Sequence, residues 1–236
     1  MKILSYDQGR LTMDGHDLQT LAEKYGTPTY VYSAPRIIEN CDNFSRALKK
    51  AMPDRHHVIC YAVKANSHIA SLKMLAAKNC GGDVVSAGEL MRCLKSGIPP
   101  EKIVFSGVGK TEKEIEYALK NKILQINAES VNELYRINHV AERLGLKAPV
   151  GLRINPDVAG GEHDKTSTGR KDDKFGISYD YGVEAYRIAE SLPHLNVTGM
   201  SVHIGSQIVD IAPFDLAYKK MASFVVQLKD AGIQLK

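Results

Sequence analysis

The sequence predicts an α/β fold of the (β/α)8 TIM-barrel class, and three observations point to it. Short apolar segments alternate with amphipathic helical segments along most of the 236 residues, as in parallel strands joined by helices. No G-x-G-x-x-G follows the first of these strands, so the open dinucleotide-binding sheet lacks its fingerprint. A hydrophobic content of 44% is sufficient for a substantial buried core. We therefore expect parallel strands whose carboxyl ends meet at one edge.

The first 33 residues stand apart from this pattern. They contain one strand candidate, at residues 29–32. Ser33 and Pro35 then open a helix that is expected to run to about residue 51, where Pro53 ends it. The predicted division is an N-terminal segment at residues 1–33 and a barrel at residues 34–236.

About six strands of parallel type follow, and a helical pattern comes after each of them. They are predicted at residues 57–63, 82–85, 102–105, 123–127, 150–154 and 197–203. Three of the helices begin with a capping box, in which a Ser or Thr caps the helix and a Glu three residues later bonds back. The boxes pair Ser86 with Glu89, Thr111 with Glu114, and Ser130 with Glu133. Glycines that can adopt the left-handed conformation mark helix ends at Gly81, Gly97 and Gly145.

The alternation stops before a barrel is complete. A TIM-type barrel needs eight strands, whereas the last predicted helix, at about residues 213–230, is followed only by Gly232 and a possible strand start at Ile233. The expected fold is therefore a (β/α) barrel that is truncated after about six barrel strands.

Charge, hydrophobicity and cysteine content limit which partners and which cellular compartment are expected for this protein. The net charge of +4 is spread over 31 basic and 27 acidic residues without a long block of one sign, so neither nucleic acid nor a membrane surface is demanded. No apolar run is long enough for a signal peptide or a membrane span. The four cysteines form no C-x-x-C pair, which favours reduced thiols in the cytoplasm over disulfides or a metal site.

Lys64 is the most informative single residue, because it ends an apolar strand where its charge is awkward. Strand formers precede it, and Asn66 and Ser67 are turn and N-cap residues. Lys64 therefore lies at a strand-to-helix junction, on the sheet edge where active sites are built. An amine there can act as a nucleophile toward a carbonyl carbon and form a Schiff base. The alternative is a lysine that extends from the strand end into solvent, and this residue alone favours the alternative.

Polar residues also follow three other predicted strands, and they converge on the same edge if the barrel forms. Asp83 and Glu89 follow the second strand, Arg153 ends the fifth, and His203 and Ser206 follow the sixth. Each also has a purely structural explanation. His203 can bond to a backbone carbonyl, Arg153 can form an internal ion pair, and Ser206 can stabilise a turn.

Gly107-Val108-Gly109-Lys110-Thr111 is similar to the end of a nucleotide-binding P-loop. The first glycine of that motif would have to be residue 104, which is Val104. Because the phosphate cradle is incomplete, Thr111 is better explained as a helix cap paired with Glu114. We therefore disfavour a nucleoside triphosphatase.

Taken together, these motifs resemble the pyridoxal-phosphate-dependent decarboxylases of the alanine-racemase-like barrel fold. The resemblance rests on Tyr61-Ala62-Val63-Lys64-Ala65-Asn66, Asp83-Val84-Val85-Ser86-Ala87-Gly88-Glu89-Leu90, Leu152-Arg153-Ile154-Asn155-Pro156 and His203-Ile204-Gly205-Ser206-Gln207. Val85 and Ala87 depart from the expected pattern without touching its polar positions. Within the family, Lys165-Thr166-Ser167-Thr168-Gly169, followed by Lys174-Phe175-Gly176-Ile177, is similar to the diaminopimelate decarboxylase branch.

The resemblance implies a role for each matched residue. Lys64 would hold pyridoxal 5′-phosphate covalently, His203 would stack on its ring, and Ser206 would contact its phosphate. Asp83, Glu89 and Arg153 would belong to the shell around the cofactor, with Arg153 near the phenolate side. The implied reaction is decarboxylation of meso-2,6-diaminopimelate to L-lysine and CO2, with the cofactor as the electron sink.

The resemblance also implies parts that this sequence does not contain. In the family a glycine-rich phosphate loop and an acidic partner of the pyridinium nitrogen follow later barrel strands, and a C-terminal β domain completes a homodimer. The N-terminal segment, residues 1–33, is expected to pack with that β domain. We therefore expect the 236-residue chain by itself to lack decarboxylase activity.

Two alternatives stay open. One is the same fold acting on ornithine, arginine or a related basic amino acid. The other is a non-catalytic relative that binds the cofactor or a protein partner.

Overall fold

The computed structural model describes residues 3–158 and 175–235. The motif Lys165-Thr166-Ser167-Thr168-Gly169 and Lys174 lie outside the described residues. The structure therefore tests the barrel part of the resemblance and not the part that bears on the substrate branch.

A small antiparallel sheet that the sequence pattern did not predict opens the described chain. Its strands β1 (Leu4–Asp7), β2 (Arg10–Met13) and β3 (His16–Asp17) pair in that order. Helix α1 (Leu18–Tyr25) follows, capped by the Asp17 carboxylate. The strand predicted at residues 29–32 is wrong, because these residues have no regular structure. They are strand formers, but no strand among residues 3–158 and 175–235 pairs with them, and strand propensity depends on such packing.

Parallel strands alternating with helices make up the rest of the described chain, as predicted. The strands are β4 (Cys60–Ala62), β5 (Gly81–Val84), β6 (Ile103–Phe105), β7 (Gln125–Ala128), β8 (Ala148–Asn155), β9 (Ile177–Ser178) and β10 (Leu195–Ser201). The helices are α2 (Ala34–Ala51), α3 (Ile69–Ala77), α4 (Ala87–Lys95), α5 (Glu112–Lys120), α6 (Val131–Leu144), α7 (Tyr179–Ser191) and α8 (Ala212–Asp230). Helix α2 begins as predicted, with Ser33 as its cap and Pro35 in its first turn.

The strand order is that of a (β/α) barrel. Strands β4, β5, β6, β7, β8 and β10 are hydrogen-bonded in chain order, and the short β9 pairs with the end of β8. All these pairings are parallel, so the strands' carboxyl ends share one edge. Within the described residues, β4 and β10 are the ends of this path and form the two edges of a partial barrel.

Alternation along the strands separates an apolar layer from a polar interior. Val84, Ile126 and Leu152 are fully buried in the main core, which lies between the sheet and its helices. Their strand neighbours Asp83 and Arg153 face the opposite side, because successive strand residues point to opposite faces. The interior of the partial barrel is therefore lined by polar side chains near its carboxyl edge.

Only some of the predicted capping boxes are reciprocal. Thr111 and Glu114 form a complete box, in which each side chain accepts from the other residue's backbone N–H, at 3.0 and 3.3 Å. Ser86 caps α4 by accepting from the Glu89 N–H, but the Glu89 carboxylate accepts from the N–H of Val85, not of Ser86. The second half of this box is therefore displaced by one residue.

Glycine marks the predicted helix ends in two of three positions. Gly97 and Gly145 adopt φ angles of +86° and +63°, as expected of left-handed helix ends. Gly81 is different, since it is the first residue of β5, and Asn79, with φ +64°, supplies the left-handed turn after α3. Gly81 is needed for another reason: a Cβ there would lie 2.0 Å from the carbonyl oxygen of Lys102.

Across the described ranges, no helix has both the length and the apolar character that crossing a bilayer requires.

Candidate active site

A cavity of ≈ 570 Å³ opens at the carboxyl edge of the sheet. Its volume falls within the roughly 300–1,000 Å³ typical of small-molecule sites. Five of the six predicted site residues line it: Lys64, Asp83, Arg153, His203 and Ser206. The structure therefore brings together side chains from four separate strand ends.

Lys64 reaches the cavity through the turn that follows β4. The chain leaves β4 in a short 3-10 turn, Val63–Ala65, in which Val63 is fully buried in the core. Because Val63 anchors the turn, the next side chain is directed into the open cavity, and Lys64 is exposed there. The predicted strand-to-helix junction is correct, although the amine is less buried than the sequence pattern suggested.

Arg153 is both an internal ion-pair partner and a cavity residue, which joins the two explanations that the sequence left open. Its Nη1 lies 2.9 and 3.0 Å from the two carboxylate oxygens of Glu129. Glu129 also accepts from the backbone N–H of Gly107 at 2.8 Å. The guanidinium carbon lies 5.3 Å from the ring centroid of Phe175. Two bonds and a ring contact therefore fix the cation at the cavity wall.

Asp83 is held in the cavity by a hydroxyl. Ser106 Oγ donates to Asp83 Oδ1 at 2.7 Å, and Asn127 Nδ2 donates to Ser106 Oγ at 3.0 Å. Burial raises the pKa of Asp83 above its ordinary value, while the Ser106 hydroxyl and the cations of Lys64 and Arg153 act in the opposite direction. The carboxylate thus depends on its donors for its charge.

His203 follows β10 and is half-buried in the cavity wall. Burial, and after it the cations of Arg153 and Lys64, lowers the pKa of the imidazole to about 4. The ring is therefore uncharged at neutral pH. A flat, uncharged imidazole is suited to stacking on an aromatic ligand.

Ser206 lies in the loop after β10, exposed at the cavity rim. Gly205 before it has φ +149° and Gln207 after it has φ +60°, so the loop turns sharply on both sides of the serine. The hydroxyl is placed where it can donate to an anionic group.

Glu89 is not among the residues that line the cavity. Its carboxylate accepts from the Val85 N–H at 2.8 Å, on the helix side of the turn after β5. This geometry gives Glu89 a capping role, and its proposed place in the cofactor shell stays a prediction.

Lys110, from the incomplete P-loop motif, is a buried structural residue. Its Nζ lies 3.1 Å from Glu133 Oε1 and donates to the carbonyl oxygens of Gly107 and Asn127. Burial is the main influence on its pKa and lowers it, against the Glu133 carboxylate. Glu133 also accepts from the N–H of Glu129, so this predicted box is displaced by one residue as well. An ammonium committed in this way cannot reach a nucleotide phosphate.

Ser106, Asn127 and Glu129 are the site residues that the sequence analysis missed. Ser106 and Glu129 directly follow β6 and β7, and Asn127 lies within β7. The rule that located Asp83 and Arg153, a polar residue at the carboxyl end of a strand, applies equally to these positions. The same signal therefore marks the ends of the third and fourth predicted strands.

Comparisons with known proteins agree with this geometry. The family model described as pyridoxal-dependent decarboxylase, pyridoxal binding domain, matches residues 36–236. The diaminopimelate decarboxylase of Vibrio cholerae is 47% identical over 230 residues, which are 98% of this chain and 54% of that protein. The one from Aquifex aeolicus is 43% identical and covers 99% of this chain and 54% of its own length.

Solved structures give the same result. The crystal structure of diaminopimelate decarboxylase from M. jannaschii in complex with L-lysine superposes with a TM-score of 0.92 at 40% identity, over 100% of this chain and 55% of that one. The corresponding Helicobacter pylori structure with L-lysine has a TM-score of 0.87, also at 40% identity, and covers 93% of this chain and 55% of that one. The chain thus spans about half the length of the relatives it matches.

Proposed function

We propose, because this chain belongs to the pyridoxal-dependent decarboxylase family, that the protein converts meso-2,6-diaminopimelate to L-lysine and CO2 with pyridoxal 5′-phosphate. The observation that carries the choice of substrate is the agreement among relatives. Proteins named diaminopimelate decarboxylase are 47% to 41% identical to this chain over nearly all of it. Since the chain spans about half their length, the activity is proposed for the native-length gene product.

The described cavity fits the proposed cofactor by the chemistry of its donors. It offers one exposed primary amine on Lys64, a guanidinium on Arg153, a hydroxyl on Ser206 and an uncharged aromatic ring on His203. An aldehyde, an anionic phosphate and a flat heteroaromatic ring require these same groups. The cofactor, when bound, supplies the electron sink for the charge left behind by CO2.

Lys64 is proposed to hold the cofactor through its Nζ. The amine is exposed to the cavity, while Val63 beside it is fully buried and fixes the turn. The backbone at the attachment point is therefore rigid, and the free part is the side chain itself. This arrangement orients the bound group without limiting access of substrate to it.

His203 and Ser206 are proposed to bind the ring and the phosphate, respectively. The uncharged imidazole covers one ring face and keeps water from it. The Ser206 hydroxyl donates to a phosphate oxygen from the loop after β10. Arg153, fixed by Glu129, adds a positive charge that attracts the anionic ligand.

The direct test is release of labelled CO2 by the native-length protein supplied with pyridoxal 5′-phosphate. We expect release from diaminopimelate with a kcat/KM at least about 100-fold above that for ornithine or arginine, since a site built to bind the distal carboxylate of diaminopimelate rejects analogues lacking it. Lys64→Ala should abolish release, whereas the surface variant Lys73→Ala should not. Preference for ornithine or arginine would contradict the proposed substrate. Binding of the cofactor without turnover of diaminopimelate, ornithine or arginine would contradict the proposed activity.

The same assay should show no release by residues 1–236 alone, because the relatives are nearly twice as long. For the native-length protein we also propose a homodimer in the cytoplasm. Large exposed apolar side chains, such as Tyr6, Tyr30 and Ile211, support further protein contacts, and the four free cysteines support a reducing compartment. Packing of residues 1–33 against a β domain remains part of this proposal, and light scattering tests the dimer.

A further inference from the structure

A chain of hydrogen bonds crosses the interior of the partial barrel and ends on Asp83. It begins at Thr198 in β10, whose Oγ1 lies 2.9 Å from Gln125 Oε1. Gln125 Nε2 donates to Asn127 Oδ1 at 2.7 Å. From there the chain continues through Ser106 to the carboxylate, at 3.0 and 2.7 Å. Four strands of the barrel, β10, β7, β6 and β5, are connected in this way.

The three bonds from Gln125 to Asp83 run in the same direction, whereas the single hydrogen of the Thr198 hydroxyl is shared between Gln125 and the Val150 carbonyl oxygen, 3.2 Å away. Each amide accepts on its oxygen and donates from its nitrogen, and the Ser106 hydroxyl accepts from Asn127 and donates to Asp83. Every hydrogen donated in these three bonds therefore points toward the carboxylate at the end. Hydrogen bonds that are aligned like this polarise one another, and the last one is made to an ionised group, where bonds are strongest.

The packing of the strands is fitted to this chain. A Cβ at Gly151 would lie 2.3 Å from Gln125 Nε2, and one at Gly199 would lie 2.9 Å from Gln125 Oε1. The amide of Gln125 thus occupies the space that two glycines on β8 and β10 leave open. Asn127, next in the chain, is only 5% exposed. A buried amide in such a position cannot turn to water for other partners.

We infer that Ser106 and Asn127 are positioning residues that keep the Asp83 carboxylate ionised and oriented in the cavity. The inference rests on the proposed function, in which the cavity that Asp83 lines holds the cofactor. Burial alone favours the neutral acid, and an uncharged Asp83 would no longer balance the cations across the cavity.

Other charged and titratable groups also face Asp83 and belong to the same balance. They are Cys60 on β4, Lys64 after β4, Glu129 after β7, Arg153 on β8 and His203 after β10. Among them the cations favour the carboxylate and Glu129 opposes it. Ser106 differs from all of them, because it acts on Asp83 by direct donation over 2.7 Å.

The test is the titration of the Asp83 carboxyl group in the cofactor-free protein, monitored by carboxyl-detected NMR. The resonance of Asp83 is identified as the one that disappears in Asp83→Asn. Ser106→Ala should raise the titration midpoint of Asp83, and Asn127→Ala should raise it by less, because it acts through Ser106. Ser106→Thr, which keeps the hydroxyl, should restore the midpoint. Ser96→Ala is the matched control, since Ser96 is a buried serine that donates to the Arg92 carbonyl on α4.

The inference fails if Ser106→Ala leaves the midpoint unchanged, or if Ser96→Ala moves it equally. If Ser106→Ala does not fold, Asn127→Ala alone decides the question. An Asp83 midpoint that does not rise in Asn127→Ala contradicts the role of the hydrogen-bond chain. Cofactor affinity, read from absorbance, is measured on the same variants. If the wild type does not bind the cofactor at all, the proposed function is wrong, but the titration result for Asp83 still stands.

Discussion

His203 shows how the cavity sets the charge of a single residue. The ring is half-buried and lies near two cations, and these influences together lower its pKa from 6.5 to about 4. The sequence identified the residue by its place after a strand, but not its charge. Charge depends on Arg153 and Lys64, which lie 50 and 139 positions away along the chain, and no local pattern reports such neighbours.

Stability should therefore fall in acid through His203. Its pKa is lower in the folded than in the unfolded protein, so the neutral ring contributes stability above pH 6.5 that is lost as the pH falls toward 4. Between pH 7 and pH 4 the wild type should lose ~1–2 kcal/mol more unfolding free energy than His203→Gln, after allowance for the ring's partial exposure. Urea unfolding at both pH values measures this. Equal losses in the two proteins would show that folding does not lower the pKa of the ring.

Other site residues differ in how far the sequence could identify them. Lys64, Asp83 and Arg153 were found because a charged residue at the end of an apolar strand is conspicuous. Ser106 and Asn127 also lie at the ends of predicted strands, but they are small, uncharged polar residues, and their position alone does not separate them from ordinary turn residues as a charge does. For Glu89 the geometry gives a helix cap, and the place in the cofactor shell that the resemblance implies stays a prediction.

At the scale of elements, parallel strands and helices were predicted well because their periodicities are strong. The errors lie at the edges: residues 29–32 are not a strand, the sheet at residues 4–17 was missed, and Gly81 was interpreted as a helix end. These features depend on which segments come to lie side by side. Gly81 illustrates this, since its requirement comes from the backbone of Lys102, directly before β6, and not from the helix that precedes it.

Gly81→Ala should be strongly destabilising. The new methyl group would overlap the carbonyl oxygen of Lys102, a backbone atom in the short 3-10 turn that leads directly into β6 and so cannot move aside, and overpacking of this kind costs about 3 kcal/mol or more. Gly88→Ala is the matched control, because a Cβ at this helical position meets only Ser86 Oγ, at 3.8 Å, and alanine favours a helix by roughly 0.5–1 kcal/mol. Urea unfolding compares the two, and similar stabilities would contradict the close approach of β5 and β6.

The buried Lys110–Glu133 pair ties the start of α5 to α6. Lys110→Met should cost about 3–5 kcal/mol, because it leaves the Glu133 carboxylate buried without its cation. Lys110→Met with Glu133→Gln should recover most of that loss, since the amide oxygen can still accept from the Glu129 N–H. Both are measured as unfolding free energies. A double variant as unstable as the single one would show that the lost stability does not come from the unpaired charge of Glu133.

At the scale of the whole molecule, the barrel explains why residues far apart in sequence share one cavity. Parallel strands in chain order bring their carboxyl ends to one edge, so side chains at the ends of β4, β5, β8 and β10 meet there without any local signal of contact. This convergence was predictable once the strands were recognised. The hydrogen-bond chain across the interior was not, because it depends on register and on two glycines that admit Gln125.

Covalent trapping tests the central claim, that Lys64 is the amine that holds the cofactor, most directly. The protein is incubated with pyridoxal 5′-phosphate, reduced with borohydride, digested, and sequenced by mass spectrometry. We expect the added mass on Lys64, with Lys64→Ala unlabelled and Lys73→Ala labelled as in the wild type. The label on any other lysine, or no label under conditions in which the protein is folded, would contradict the account.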